Sequence, residues 1–186
     1  MWVVGMSARW LLVALLIGTP VWAQEPEGVS PYVGLETREI KALGPDEIAA
    51  YENGDGMRYA LAAELNHYPG PKHVLELSDD LELSVEQRGS VEQIFETMRG
   101  KARDLGVEIV AAERELDAAF ASTTIDDDQL QQRTAAIAAL QGELRAAHLA
   151  AHLTTRTVLT LEQVERYDAL RGYAGGHDPT RHHPSR

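Results

Sequence analysis

The chain contains no cysteine. A disulfide scaffold, a thiolate metal site and a cysteine nucleophile are excluded. Aromatic residues are scarce: Phe occurs twice, and aromatics make up 6% of the 186 residues. A core of stacked rings is not expected, and an Ala- and Leu-rich helical assembly is. Basic residues are outnumbered, 17 Lys and Arg against 29 Asp and Glu, for a formal net charge of −12. Nucleic-acid binding needs a dense basic surface, so no nucleic-acid partner is expected. There is no G-x-S-x-G, no P-loop and no dinucleotide fingerprint. Glu64 and Glu76 are isolated acids, and Ser84 and Thr160 read as helix caps. No catalytic residues, and hence no enzyme, are expected.

What is present begins with an address. Arg9 precedes the apolar run Trp10–Gly18, and Pro20-Val-Trp-Ala23 places small residues before Gln24. This pattern reads as a cleavable secretory signal over residues 1–23. The run is shorter than the ~20 apolar residues that span a bilayer. The expected mature chain is Gln24–Arg186, periplasmic and without a membrane span.

Three regions follow. Residues 24–83 form an acidic segment broken by Gly34, Gly44-Pro45, Gly54, Gly56 and Pro69-Gly70-Pro71. Such breakers allow only short helices, predicted at Pro45–Glu52, Gly56–Asn66 and about Lys72–Asp80. In residues 84–173, Ser84-Val-Glu-Gln87 is a capping box. Apolar residues then recur every three or four positions from Val91 to Phe120, which predicts one long amphipathic helix. Thr124 and the Asp126–Asp128 run supply a cap and negative charge for a second helix start. The aspartates lack the alternating spacing of a calcium loop. The stripe resumes from Leu130 to Val158, and Thr160-Leu-Glu-Gln163 opens a short helix ending at Gly172. Two long helices and a short loop make an antiparallel hairpin. The expected fold is therefore all-α. One hairpin cannot enclose its own stripe, so the short helices or a second copy must cover it. Leu149 and Leu153 lie on the other face at about 100° per residue, which marks them as a dimer or client surface. Residues 174–186 read as a disordered, His-containing tail.

Leu83-Ser-Val-Glu-Gln87 and Leu159-Thr-Leu-Glu-Gln163 are two copies of L-[ST]-x-x-Q, with Leu83, Ser84, Gln87, Leu159, Thr160 and Gln163 as the repeated residues. Two copies bracketing a helical hairpin behind a signal resemble the Spy/CpxP, or LTxxQ, family of periplasmic stress proteins. That family includes zinc-resistance-associated and heavy-metal-sensor-like members. The resemblance implies a homodimeric cradle that binds zinc, copper, nickel or cobalt, holds unfolded envelope clients without ATP, or damps a sensor kinase. Well-known chaperone members present a basic cradle. Here Ser84–Arg171 carries 10 basic and 15 acidic residues, a balance that suits cations better.

His148 and His152 are the sharpest candidate ligands. Their i, i+4 spacing puts both imidazoles on one helix face, within reach of one ion. A site needs three or four ligands, and His67, His73, Glu64 and Met57, or groups from a second copy of the chain, are candidates for the rest. The alternative is that His148, which lies on the apolar stripe, is simply a packed core histidine. The pair is not a metalloprotease signature, because Leu149 stands where a general-base Glu would be needed. His177, His182 and His183 in the tail could chelate borderline metals weakly. His67 and His73 flank a proline turn and could equally be turn residues.

Overall fold

The computed structural model describes residues 28–173. The expected signal segment, its cleavage point and the tail histidines His177, His182 and His183 lie outside the described residues. Residues 28–33 belong to a separate leading unit. Within it, the Val33 N–H donates to the Ser30 carbonyl at 3.2 Å.

The body from Gly34 onward is all-α, with no strand among the described residues. After a 3₁₀ turn at Leu35–Thr37, six helices follow: α1 (Pro45–Asn53), α2 (Leu61–Glu64), α3 (Pro71–Glu76), α4 (Val85–Ala121), α5 (Asp127–Val158) and α6 (Leu161–Leu170). The 37 residues of α4 make a rod of about 55 Å. Gln87 at the start of α4 bonds the Val158 carbonyl at the end of α5. Arg133 near the start of α5 reaches Glu115 near the end of α4, at 3.1 Å. The two rods are therefore antiparallel.

The caps explain the boundaries. Ser84 Oγ accepts the Gln87 N–H at 3.1 Å, and the Ser84 N–H donates to Gln87 Oε1 at 3.0 Å. Thr160 and Gln163 repeat this geometry, also at 3.1 and 3.0 Å. The cap of α5 is Asp126, which accepts the Gln129 N–H at 2.8 Å, and not Thr124. Thr124 is drawn away by a 2.8 Å bond to the Ser122 hydroxyl.

The helix predicted over residues 56–66 is largely absent. Met57 and Arg58 adopt left-handed φ of 39° and 66°, a conformation costly for residues with a Cβ. Only Leu61–Glu64 is α-helical there, and Leu65, which a helix over these residues would put on one side with Met57, Ala60 and Leu61, is 57% exposed. The physical reason is the Gly54-Asp-Gly56 turn, whose Asp55 N–H bonds back to the Ala50 carbonyl and redirects the chain. The third predicted helix also stops earlier, at Glu76.

The short helices cover the stripe. Ile40, Leu43 and Tyr51 join Leu105, Ile109 and Leu144 in one buried cluster. Val74, Leu81, Val91, Leu159 and Tyr167 form a second at the motif end. α1 reaches α4 so closely that a Cβ on Gly106 would lie 2.1 Å from the Tyr51 carbonyl oxygen. No side chain other than hydrogen allows that crossing. No helix among the described residues is long and apolar enough to cross a membrane.

Candidate functional site

The two L-[ST]-x-x-Q motifs do more than open helices. Gln87 Nε2 donates to Gln163 Oε1 at 2.8 Å, and Gln163 Nε2 returns a bond to Gln87 Oε1 at 3.1 Å. Each amide spends its second N–H on a carbonyl beside the opposite motif: Val158 for Gln87 at 3.0 Å, Leu81 for Gln163 at 3.2 Å. Each oxygen also caps its own helix. Only an amide can do this, since a carboxylate has no donor. Leu159 is buried and Leu83 half-buried against the same cluster. The capping pattern is legible in sequence. The docking of the two motifs is not, although an identical spare amide at the same offset in each was the available signal.

A cavity of about 390 Å³ opens between the turn after α1, the start of α3, and the facing sides of α4 and α5. His73, His148 and His152 all line it, with Asp55, Met98 and Arg99. His148 is 5% exposed and stacks on Tyr59 at a ring-centroid distance of 6.1 Å. Its Nε2 is buried and has no hydrogen-bond partner. Burial holds its pKa below the ordinary imidazole value; nearby His152 adds to this and Asp55 opposes it. Such a ring keeps a lone pair available near neutral pH.

His152 is held by its surroundings. Its Nδ1 lies 2.7 Å from the Tyr68 carbonyl oxygen. A carbonyl only accepts, so Nδ1 carries the proton. When the ring carries one proton, Nε2 is then the free lone pair. The same backing by an oxygen at Nδ1 orients metal-ligating histidines in general. Gly70 touches the other side of the ring: a Cβ there would stand 2.9 Å from Cε1 and 3.0 Å from Nε2. His73 is set in the same way, with Nδ1 2.8 Å from Glu76 Oε2. That bond holds the Glu76 carboxyl below its ordinary pKa.

The other sequence candidates are placed elsewhere. Glu64 is buried, and both its oxygens are engaged. Oε1 accepts the Tyr167 hydroxyl at 2.6 Å and the Tyr173 hydroxyl at 3.2 Å, while Oε2 accepts the Gly70 N–H at 3.2 Å. Burial and this carboxylate push the Tyr167 hydroxyl far above its ordinary pKa. Glu64 Oε2 lies 3.7 Å from His152 Nδ1, so it stands behind the ring as an electrostatic support. His67 faces α6, with its Nδ1 2.6 Å from Asp168 Oδ2, and takes a left-handed φ of 67°. Met57 is half-buried beside the first core cluster, and Met98 is the methionine on the cavity wall. Leu153 is 56% exposed and Leu149 half-buried.

Among the described residues, no group of three or more His, Cys, Asp or Glu is arranged closely enough to hold a metal ion as it stands. The cavity thus collects imidazoles without a finished coordination shell.

The model of the heavy-metal resistance family matches residues 59–166. The chain belongs to that family. It is a family of Spy/CpxP-like periplasmic proteins, as the paired motifs imply. The match takes in α2 to α6 up to Arg166, and with them His73, His148, His152 and both glutamines. No curated protein and no solved structure matches the chain.

Proposed function

We propose that this member of the heavy-metal resistance family binds a divalent transition-metal ion in the 390 Å³ cavity, as a periplasmic sensor or buffer and not as an enzyme. The ion is of the zinc or copper kind, with nickel and cobalt close in chemistry, because imidazole nitrogen suits all four. His148 and His152 are the principal ligands; His73 lines the same cavity but does not close a three-ligand set as it stands. The observation that carries this reading is the pair of unengaged Nε2 atoms on one face of α5, one orphaned by burial and the other freed by the Tyr68 carbonyl. Burying an unpaired polar nitrogen is costly, and a bound ion relieves that cost. Leu153 and Leu149 support pairing of two copies or contact with a sensor partner.

Calorimetric titration with Zn²⁺, Cu²⁺, Ni²⁺ and Co²⁺ tests this, with His177, His182 and His183 replaced by Ala to silence the tail. One ion per chain is expected. His152→Ala should weaken binding by more than the roughly tenfold that loss of an outer-shell partner costs. Unchanged affinity in both His148→Ala and His152→Ala would remove the reading.

A second reading is an ATP-independent holdase. It is favoured by an apolar groove of about 650 Å³ between α4 and α5, lined by Ile94, Met98, Ala147, Ala150 and Val158 among others. Suppression of aggregation of a denatured protein, indifferent to chelator, would support the holdase over the metal role.

A further inference from the structure

The outer side of α5 carries an apolar seam with no cover among the described residues. Ala135, Ala139, Gly142, Ala146 and Leu153 are exposed there, and Leu149 is half-buried. These residues recur at alternating steps of four and three positions, the spacing of a coiled-coil seam. At about 100° per residue the seam lies opposite Ile137, Leu144 and Ala151, which are buried. A Cβ on Gly142 would meet nothing within 4 Å. The seam carries no charge, although 25% of the chain is charged. It ends in two leucines, whose apolar surface is unfavourable to leave in water. Small side chains fill the rest of it, so one end offers knobs and the other end offers holes.

We infer that this face docks on the same face of a second copy, antiparallel, about a two-fold axis between Ala147 and His148. Gly142 of one copy then meets Leu153 of the other, and Ala146 meets Leu149. The symmetry repeats both contacts. Each leucine is received by a glycine or an alanine, which fills the space between the rods without overpacking it. The charges agree with this register. Arg156 of one copy stands over Ala139 of the other, one helical turn from Glu143. Among the described residues, neither Glu143 nor Arg156 has an ion-pair partner within 4.0 Å in the single chain. The alternative arrangements fit worse. A parallel pair sets leucine on leucine, leaves Gly142 facing Gly142, and brings Arg156 onto its own copy. An antiparallel pair slipped by one heptad sets Glu143 across the axis from its own copy. Like charges placed together in this way oppose association. The docking does not rest on the metal reading, because the seam lies on the side of α5 away from buried His148.

The test is sedimentation of the chain over a concentration series with a chelator present, so that no metal bridges two copies. A monomer–dimer equilibrium is expected. Glu143→Arg, its fold checked by circular dichroism, should weaken the dimer about tenfold, since each dimer loses two exposed ion pairs. Adding Arg156→Glu to it should restore the affinity. The register is read by disulfide trapping, for which a chain without cysteine is suited. Gly142→Cys mixed with Leu153→Cys should cross-link under mild oxidation. Neither variant should do so alone, because each thiol lies about 16 Å along the axis from its own copy. A monomer at every concentration overturns the inference and leaves the face to a client segment. Cross-linking of either variant with itself overturns it in favour of a parallel pair. A dimer in which the mixed thiols do not cross-link, or in which the charge reversals have no effect, overturns it in favour of another face or register. Each of these results leaves the metal titration unaffected.

Discussion

At the base of the hairpin, where α4 begins and α5 ends, side chains from five helices interlock. Gln87 and Gln163 bond each other, Tyr167 is fully buried on Glu64, and the histidine cavity opens alongside. At the tip, no residue from 111 to 136 is buried. Phe120 is 54% exposed. The rods are tied there by the surface ion pair of Arg133 with Glu115, and Lys41, from the segment before α1, pairs with Asp117 of α4. Local helix-forming tendency is enough to continue two rods into solvent. Orienting an imidazole to a fraction of an ångström requires packing from several directions. The candidate site is accordingly at the end where the chain is most tightly held.

This contrast can be broken by substitution, and the largest effect belongs to the core. Leu144→Ala, at 1% exposure, should cost about 3 kcal/mol in urea unfolding. The matched change near the tip, Leu130→Ala at a half-buried position, should cost less than about 1.5 kcal/mol. Equal losses would dissolve the distinction between the two ends.

Gln87→Glu comes next. It removes both amide donors and turns a carboxylate toward the Val158 carbonyl and Gln163, so a loss of about 2 kcal/mol is expected. Gln163→Glu should cost a similar amount, and the two should be strongly non-additive in a double-mutant cycle because they share one bond pair. Simple additivity would mean that the motifs act as separate caps.

Gly70→Ala sharpens the link between the base and the site. The new Cβ would meet the His152 ring at 2.9 Å and push it off the Tyr68 carbonyl. Zinc affinity should fall about tenfold, as for other lost outer-shell supports, with thermal stability falling much less. A drop in stability without a drop in affinity would separate His152 from the ion.

The smallest effect is at the surface tie from the first turn to α4. Lys41→Ala should cost no more than about 0.5 kcal/mol. The side-chain and backbone hydrogen bonds from Lys41 hold the Asp117 carboxyl below its ordinary value of 3.8. The folded state therefore binds that proton less readily than the unfolded chain. The contribution is complete above pH 3.8 and disappears as pH falls through the lower folded value. In Lys41→Ala this part of the acid sensitivity should shrink. The measurement is urea unfolding from pH 5 down to pH 2.

Much of the fold was legible because its signals are local. Ser84 and Gln87, or Thr160 and Gln163, lie three positions apart, so a capping box declares itself without knowledge of the fold. The apolar steps from Val91 to Phe120 did the same for α4. The Gly56–Asn66 segment misled because its apolar spacing was helical while Gly54 and Gly56 turned the chain first. In the site, the spacing of His148 and His152 was readable from one helix. The arrival of His73, the commitment of Glu64 to Tyr167 and Tyr173, and the departure of His67 toward Asp168 were not.

The sequence by itself determined two long capped rods, short N-terminal helices as a class, and two imidazoles on one face. These follow from helix period and end chemistry, which act over a few residues. Only the tertiary structure decided that the two glutamines clasp each other and which side chains share the cavity. Those outcomes join residues 70 or more positions apart, as Gln87 joins Gln163 and Tyr68 joins His152. Such pairings depend on the path of intervening turns and on the burial that makes each polar partner obligatory.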